Sequence, residues 1–152
     1  MFLFGKKKSL LDEDSQHRIV AAISEAESKT SGEVRVYIER KCSYMDAMHR
    51  AQEVFKKLGM FKTHGRNAVI VYLALADRQF AIFGDEEIYH RAGGAQFWEA
   101  AAGQMRSHLK NGQVTEGLIS CVQELGKALA QHFPYDPAVK KNELPDEIVF
   151  GK

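Results

Sequence analysis

Residues 68–75 read Ala-Val-Ile-Val-Tyr-Leu-Ala-Leu. The run is short, unbroken and rich in β-branched residues, which is the pattern of a strand covered on both faces. It is therefore the expected centre of a sheet. Phe80-Ala81-Ile82-Phe83 follows across only Ala76-Asp77-Arg78-Gln79. So short a gap admits a hairpin, and the next strand is expected to run antiparallel. Upstream, residues 33–40 alternate, with Val34, Val36 and Ile38 on one side and Arg35, Tyr37 and Glu39 on the other. That alternation predicts a half-buried strand. Residues 41–67 leave ample room for a helical crossover, so this strand should lie parallel to the central one.

Around these strands the period changes from two to between three and four. Ile19, Ala22, Ile23 and Ala26 mark a helix within residues 9–29, with Ser9 and Asp12 as a capping-box-like start. Ala47, Ala51, Val54, Phe55 and Leu58 mark a second, from about Asp46 to Leu58, with Ser43 as its N-cap and Gly59 as its stop. Phe97, Trp98, Ala101, Met105 and Leu109 form a third stripe; Leu118, Val122, Leu125 and Leu129 form a fourth. Such stripes read as core faces rather than cofactor contacts. The sum predicts a three-layer α/β/α sandwich, Rossmann-like, with a mixed central sheet of about four strands and helices on both faces. Residues 1–8 read as a flexible basic tail, 9–135 as a single domain, and 136–152 as a tail whose Ile148-Val149-Phe150 could dock on the sheet.

The 152 residues carry 21 Lys and Arg against 20 Asp and Glu, a net charge of +1. That balance lacks the basic field that nucleic-acid binding needs. The two cysteines, Cys42 and Cys121, are too few for a disulfide framework or a cysteine-rich zinc site. Met1-Phe2-Leu3-Phe4 precedes Lys6-Lys7-Lys8, the reverse of a secretory signal, so a cytoplasmic location is expected. Contact with a membrane is limited to a peripheral touch through residues 1–8.

Most familiar chemistry is missing. The chain has no phosphate-binding glycine loop, no dinucleotide fingerprint and no G-x-S-x-G elbow. No two of its six histidines stand at i,i+4. A cysteine phosphatase needs an arginine six residues after its thiolate, but Cys42 is followed there by Met48 and Cys121 by Lys127. Asp12-Glu13-Asp14 has aspartyl-phosphatase spacing but opens a helix, where helix-end electrostatics explains it.

What remains is a matter of sheet edges. The carboxyl ends of the parallel strands should carry Arg40, Lys41, Cys42 and Ser43, with Asp77 and Arg78 in the hairpin. The returning third strand should bring Asp85 and Glu86 to the opposite edge, beside Ser31, Gly32, Glu33, Arg66 and Asn67. Carboxylates gathered on one rim suit a hard divalent cation. The same residues also serve as caps and turns, and Glu33 could simply pair with Arg66.

Three stretches carry a resemblance: Thr30-Ser31-Gly32-Glu33-Val34-Arg35-Val36, Arg66-Asn67-Ala68-Val69-Ile70-Val71-Tyr72, and residues 76–85 from Ala76-Asp77-Arg78 to Gly84-Asp85. Together with Asn142-Glu143-Leu144-Pro145-Asp146-Glu147-Ile148 they resemble the TPM domain family, in its short bacterial form. That family groups thylakoid-lumen phosphatase-like, photosystem II repair and receptor-modulating proteins. The resemblance implies a Rossmann-like sandwich, binding of calcium or another divalent metal, and weak phosphatase or nucleotide phosphohydrolase activity in some members. By position it points to Asp77, Asp85 and Glu33 as metal ligands; for a phosphohydrolase, Arg66 and Arg78 would then be the phosphate-binding residues. One departure matters: Gly65-Arg66-Asn67 stands where members often show Asp-Arg-Asn, which removes a candidate oxygen ligand. Two functions therefore follow as expectations: a divalent-metal-dependent phosphohydrolase, or a non-enzymatic metal-binding interaction module with an unidentified protein partner, associated with a membrane.

Overall fold

All seven residues of β2 (Ala68–Ala74) are buried. β2 lies between β1 (Glu33–Glu39), parallel to it, and β3 (Gln79–Gly84), antiparallel. β4 (Val149–Phe150) adds to the far side of β1 in parallel, and the sheet order is β3-β2-β1-β4. The computed structural model describes residues 10–42, 45–139 and 144–151. Both pairings expected from the sequence are present, and Val149 and Phe150 of the C-terminal tail do join the sheet.

One face of the sheet presents Val34, Val36, Ile38, Val69, Val71, Leu73 and Ile82 to α1 (Glu13–Glu27), α4 (Glu99–Lys110) and α5 (Val114–His132). The other presents Tyr37, Ile70, Tyr72 and Ala81 to α2 (Ala47–Lys57), whose Ala51, Val54 and Phe55 form the facing stripe. Side-chain alternation on β1 and β2 thus feeds two separate cores, which is the three-layer sandwich. Each fully buried aliphatic side chain, such as Ile19 or Ile23 of α1, adds about 1.5–3 kcal/mol. α1 and α5 approach closely because Gly126 faces Ala26, where an added Cβ would stand 2.6 Å from the alanine methyl.

Several local expectations shift. α1 starts at Glu13, because Asp12 itself is the cap and accepts from Ser15 N at 2.7 Å. α2 is likewise capped by Asp46, which accepts from His49 N at 2.8 Å. Ser9, Ser43 and the 1–8 segment lie outside the described residues. Gly59 does end α2, in the left-handed region at φ 68°. A short helix, α3 (Glu86–Ala92), occupies what reads as a loop: Asp85 caps it and Glu86 and Glu87 fill its first turn. β1 is not half-buried but buried along its whole length, since the C-terminal tail and Arg50 of α2 cover the polar side that reads as wet. Among the described residues no helix is long and apolar enough to cross a membrane.

Candidate functional site

At the edge where β1 and β2 begin, the hairpin delivers Asp85 to Arg66. Arg66 Nε and Nη2 donate to Asp85 Oδ2 and Oδ1 at 2.7 and 2.8 Å, a bidentate pair, and Arg66 Nη1 lies 3.3 Å from Glu86 Oε1. The backbone supports this grip. Asp85 N donates to Ala68 O, Glu87 N donates to Arg66 O, and Arg66 itself sits at φ 51°. Glu33 stands in register with Ala68, on the side of β2 away from Asp85. Its carboxylate is 2% exposed and accepts from Leu144 N at 2.6 Å. Asn67 Nδ2 donates to Ser31 Oγ at 3.4 Å, and both border a cavity of about 420 Å³ with His64, Arg91, Tyr135 and Asp136. Ser31, Glu33, Arg66, Asn67 and Asp85 therefore do share one edge of the sheet.

Asp77 and Arg78 are at the other edge. Asp77 Oδ2 accepts from Cys42 N at 2.7 Å and so ties the β2–β3 hairpin to the loop after β1. Arg78 turns the hairpin at φ 51° and lines a surface hollow with Arg106 and Lys110. The whole of β3 separates Asp77 from Asp85, about 20 Å at the rise of an extended strand. Both oxygens of Asp85 are engaged by Arg66. Asp77, Asp85 and Glu33 consequently do not fit one calcium or other divalent ion. Among the described residues no three His, Cys, Asp or Glu side chains converge to hold a metal.

The arrangement that sequence reasoning missed lies at the carboxyl end of β1. Glu39, 4% exposed, is held by Arg50 of α2 through Nε to Oε2 and Nη2 to Oε1, both 2.9 Å. The Tyr72 hydroxyl donates to the same carboxylate. Arg50 also reaches Glu53 and lies over the Tyr37 ring, 5.7 Å from its centroid, and Tyr37 stacks on Tyr72 at 6.0 Å. Burial alone would raise the Glu39 carboxyl, but the Arg50 and Tyr72 hydrogen bonds outweigh it and hold it below its ordinary value. Burial, then the bond to Glu39, push the Tyr72 phenol upward.

Tyr37, Glu39 and Arg50 of this network line a cavity of about 410 Å³, walled by Lys41, Cys42 and Met45 after β1, by Lys57 at the end of α2 and Leu58 after it, and by Val149, Phe150 and Gly151 of the C-terminal strand and its exit. It lies outside the carboxyl ends of the parallel strands β1 and β4. From β1 the chain leaves through α2 on one face, whereas β4 is reached after α4 and α5 on the other. The one sequence signal was the polar side of β1, Tyr37 and Glu39, which reads equally well as a wet face.

A family model for the TPM domain matches residues 6–128. The NMR structure of the BA42 protein from the psychrophilic bacterium Bizionia argentinensis is 35% identical, with TM-score 0.87 over 97% of this chain and all of that one. The N-terminal domain of a protein from P. gingivalis is 14% identical, with TM-score 0.68 over 84% of this chain and 83% of that one. The N-terminal domain of the cg2496 protein from Corynebacterium glutamicum is 13% identical, with TM-score 0.65 over 95% and 97%. The last two likenesses concern the fold alone. No curated protein matches the chain.

Proposed function

The chain belongs to the TPM domain family, and from that premise we propose that it is a binding module that takes a small phosphate-bearing molecule in the crevice between β1 and β4. The observation that carries this reading is the crevice itself, a cavity of about 410 Å³ outside the carboxyl ends of parallel strands, flanked by Lys41 and Lys57. Pockets of about 300–1,000 Å³ with a few fixed polar groups are the usual form of small-molecule sites. Neither lysine makes a salt bridge among the described residues, whereas Arg50 is committed to Glu39 and Glu53. Two ammonium groups at the mouth favour an anion, and the buried Glu39–Arg50–Tyr72 network fixes the floor without itself needing the ligand.

The same geometry favours binding over turnover. Glu39 is saturated by a guanidinium and a phenol, so no lone acid or base stands on the crevice floor for proton transfer. The hydrolytic reading asks Asp77, Asp85 and Glu33 to share a metal, with Arg66 and Arg78 on the phosphate. Those residues are divided between two edges of the sheet.

Titration with inorganic phosphate and with a nucleoside monophosphate, followed by amide NMR, tests the proposal. Shifts are expected at Lys41, Cys42 and Gly151, and the K41A/K57A double variant is expected to lose them. Shifts confined to Ser31, Asn67 and Arg91 would move the site to the other edge. Turnover of a phosphate ester with calcium, magnesium or manganese, lost in D85N, would replace binding by hydrolysis.

A further inference from the structure

β4 is two residues long, yet it closes the sheet and walls the crevice. Its own backbone bonds are few: it pairs Val149 with Tyr37 and Phe150 with Ile38, and Gly151 N donates to Ile38 O at 2.8 Å. Other contacts must hold the segment before it. Leu144 N donates to Glu33 Oε1. Asp146 meets Glu27, in the last turn of α1, carboxyl to carboxyl.

Glu27 is 3% exposed. One of its oxygens, Oε2, accepts from Val34 N at 2.7 Å. The other, Oε1, is buried without a donor, and so is Asp146 Oδ1. Two carboxylate oxygens that face each other in a site closed to water cannot both be ionised and stay together. Glu33 on β1 adds a third negative charge beside Glu27. Arg35, also on β1, is the cation facing the group; it is influenced by Glu27, Glu33 and Glu147, and its Nε is itself buried without an acceptor. A shared proton supplies the missing donor and removes one charge.

We propose that residues 144–151 form a strap latched to the domain by a single proton shared between Glu27 and Asp146, and that loss of this proton lets the strap leave β1. Burial first, then the contact with Asp146, push the Glu27 carboxyl up to about 9 from an ordinary 4.5. The sign follows from linkage: docking is strongest below the ordinary value and weakens about tenfold per pH unit as pH rises from there towards about 9. Because Val149, Phe150 and Gly151 wall the crevice, an alkaline shift would also open the ligand site. That consequence rests on the proposed binding function; the latch itself does not.

The test uses the full chain without ligand. Carboxyl carbon NMR is expected to place the Glu27 titration above the ordinary glutamate range, at most about 9, the value of the docked carboxyl, and a midpoint in the ordinary glutamate range overturns the latch. Amide exchange protection at Leu144 and Gly151 is expected to fall about tenfold per unit between pH 6 and 8 in the wild type and to stay level in E27Q, whose amide supplies the donor permanently. D146N serves the same purpose from the strap side. Wild-type protection as level as that of the variants overturns the proposal. So does release of the strap by a chelator at pH 6, which would put a cation where the proton is placed. None of these readings involves phosphate, so a failure of phosphate to bind leaves them unchanged.

Discussion

Arg50 and Glu39 meet through two parallel hydrogen bonds of 2.9 Å, joining the consecutive elements β1 and α2 across the boundary between the sheet and its helical layer. The pair closes the polar end of the α2 core, where Tyr37 and Tyr72 stack beneath it. Removing Arg50 leaves the buried Glu39 carboxylate with only the Tyr72 hydroxyl as a donor, and breaking a buried ion pair typically costs about 3–5 kcal/mol. Arg50→Ala is therefore expected to lower the unfolding free energy by that order in urea denaturation. The E39Q/R50M double variant should recover most of the loss. A single-variant cost below about 1 kcal/mol would mean that water already reaches Glu39.

The same pair sets a response to acid. Glu39 is held below its ordinary carboxyl value in the folded protein, so its contribution is present above that ordinary value and is lost as pH falls through the lowered one. Stability measured by urea titration from pH 6 to pH 3 should drop for the wild type and drop less for E39Q, which cannot titrate. Glu27 works in the opposite direction, contributing most in acid and losing its effect as pH rises towards about 9. An E39Q profile that parallels the wild type would assign the acid sensitivity to other carboxylates.

What could be read from the chain alone follows a physical divide. β2 was legible because a strand buried on both faces needs apolar residues at every position, and the short gap from Leu75 to Phe80 permits little but a hairpin. That hairpin in turn carries Asp85 to Arg66. The crevice was not legible. Glu39 and Tyr37 look like a solvated strand face until β4, from the far end of the chain, and α2 are folded over them. Asp85 and Glu86 read as part of a rim of carboxylates, although with Glu87 they form a helix cap and first turn. Glu27 gave no warning at all, since a glutamate near a helix end is ordinary and only the returning tail makes it buried.

Calcium offers a direct check on the carboxylates that the family resemblance singled out. Asp85 spends both oxygens on Arg66, and Asp77 holds Cys42 N on the opposite edge. Titration with calcium is expected to produce no saturable amide shifts common to the turns at residues 76–78 and 85–87. D85N should instead act on stability, because it weakens the Arg66 pair and the cap of α3, and caps alone are worth about 0.5–2 kcal/mol. A single saturating transition that moves both turns together would show that the two edges are linked by an ion after all.

Two glycines in helices provide a matched pair with opposite outcomes. Gly103 lies inside α4 with open space around the position a Cβ would take, so Gly103→Ala trades backbone freedom for helix propensity without a steric charge. It is expected to stabilise the protein by about 0.5–1 kcal/mol. Gly126 lies inside α5, where the same methyl would press to 2.6 Å from the Ala26 side chain on α1. The same propensity gain is there opposed by an overpacking cost of about 1–3 kcal/mol, because α1 and α5 must separate and loosen Ile23, Val122 and Leu129 between them. Thermal denaturation of the two variants should thus shift in opposite directions. A Gly126→Ala variant as stable as Gly103→Ala would show that the α1–α5 contact yields to an added methyl without cost, and that the packing of this layer is looser than the distances describe.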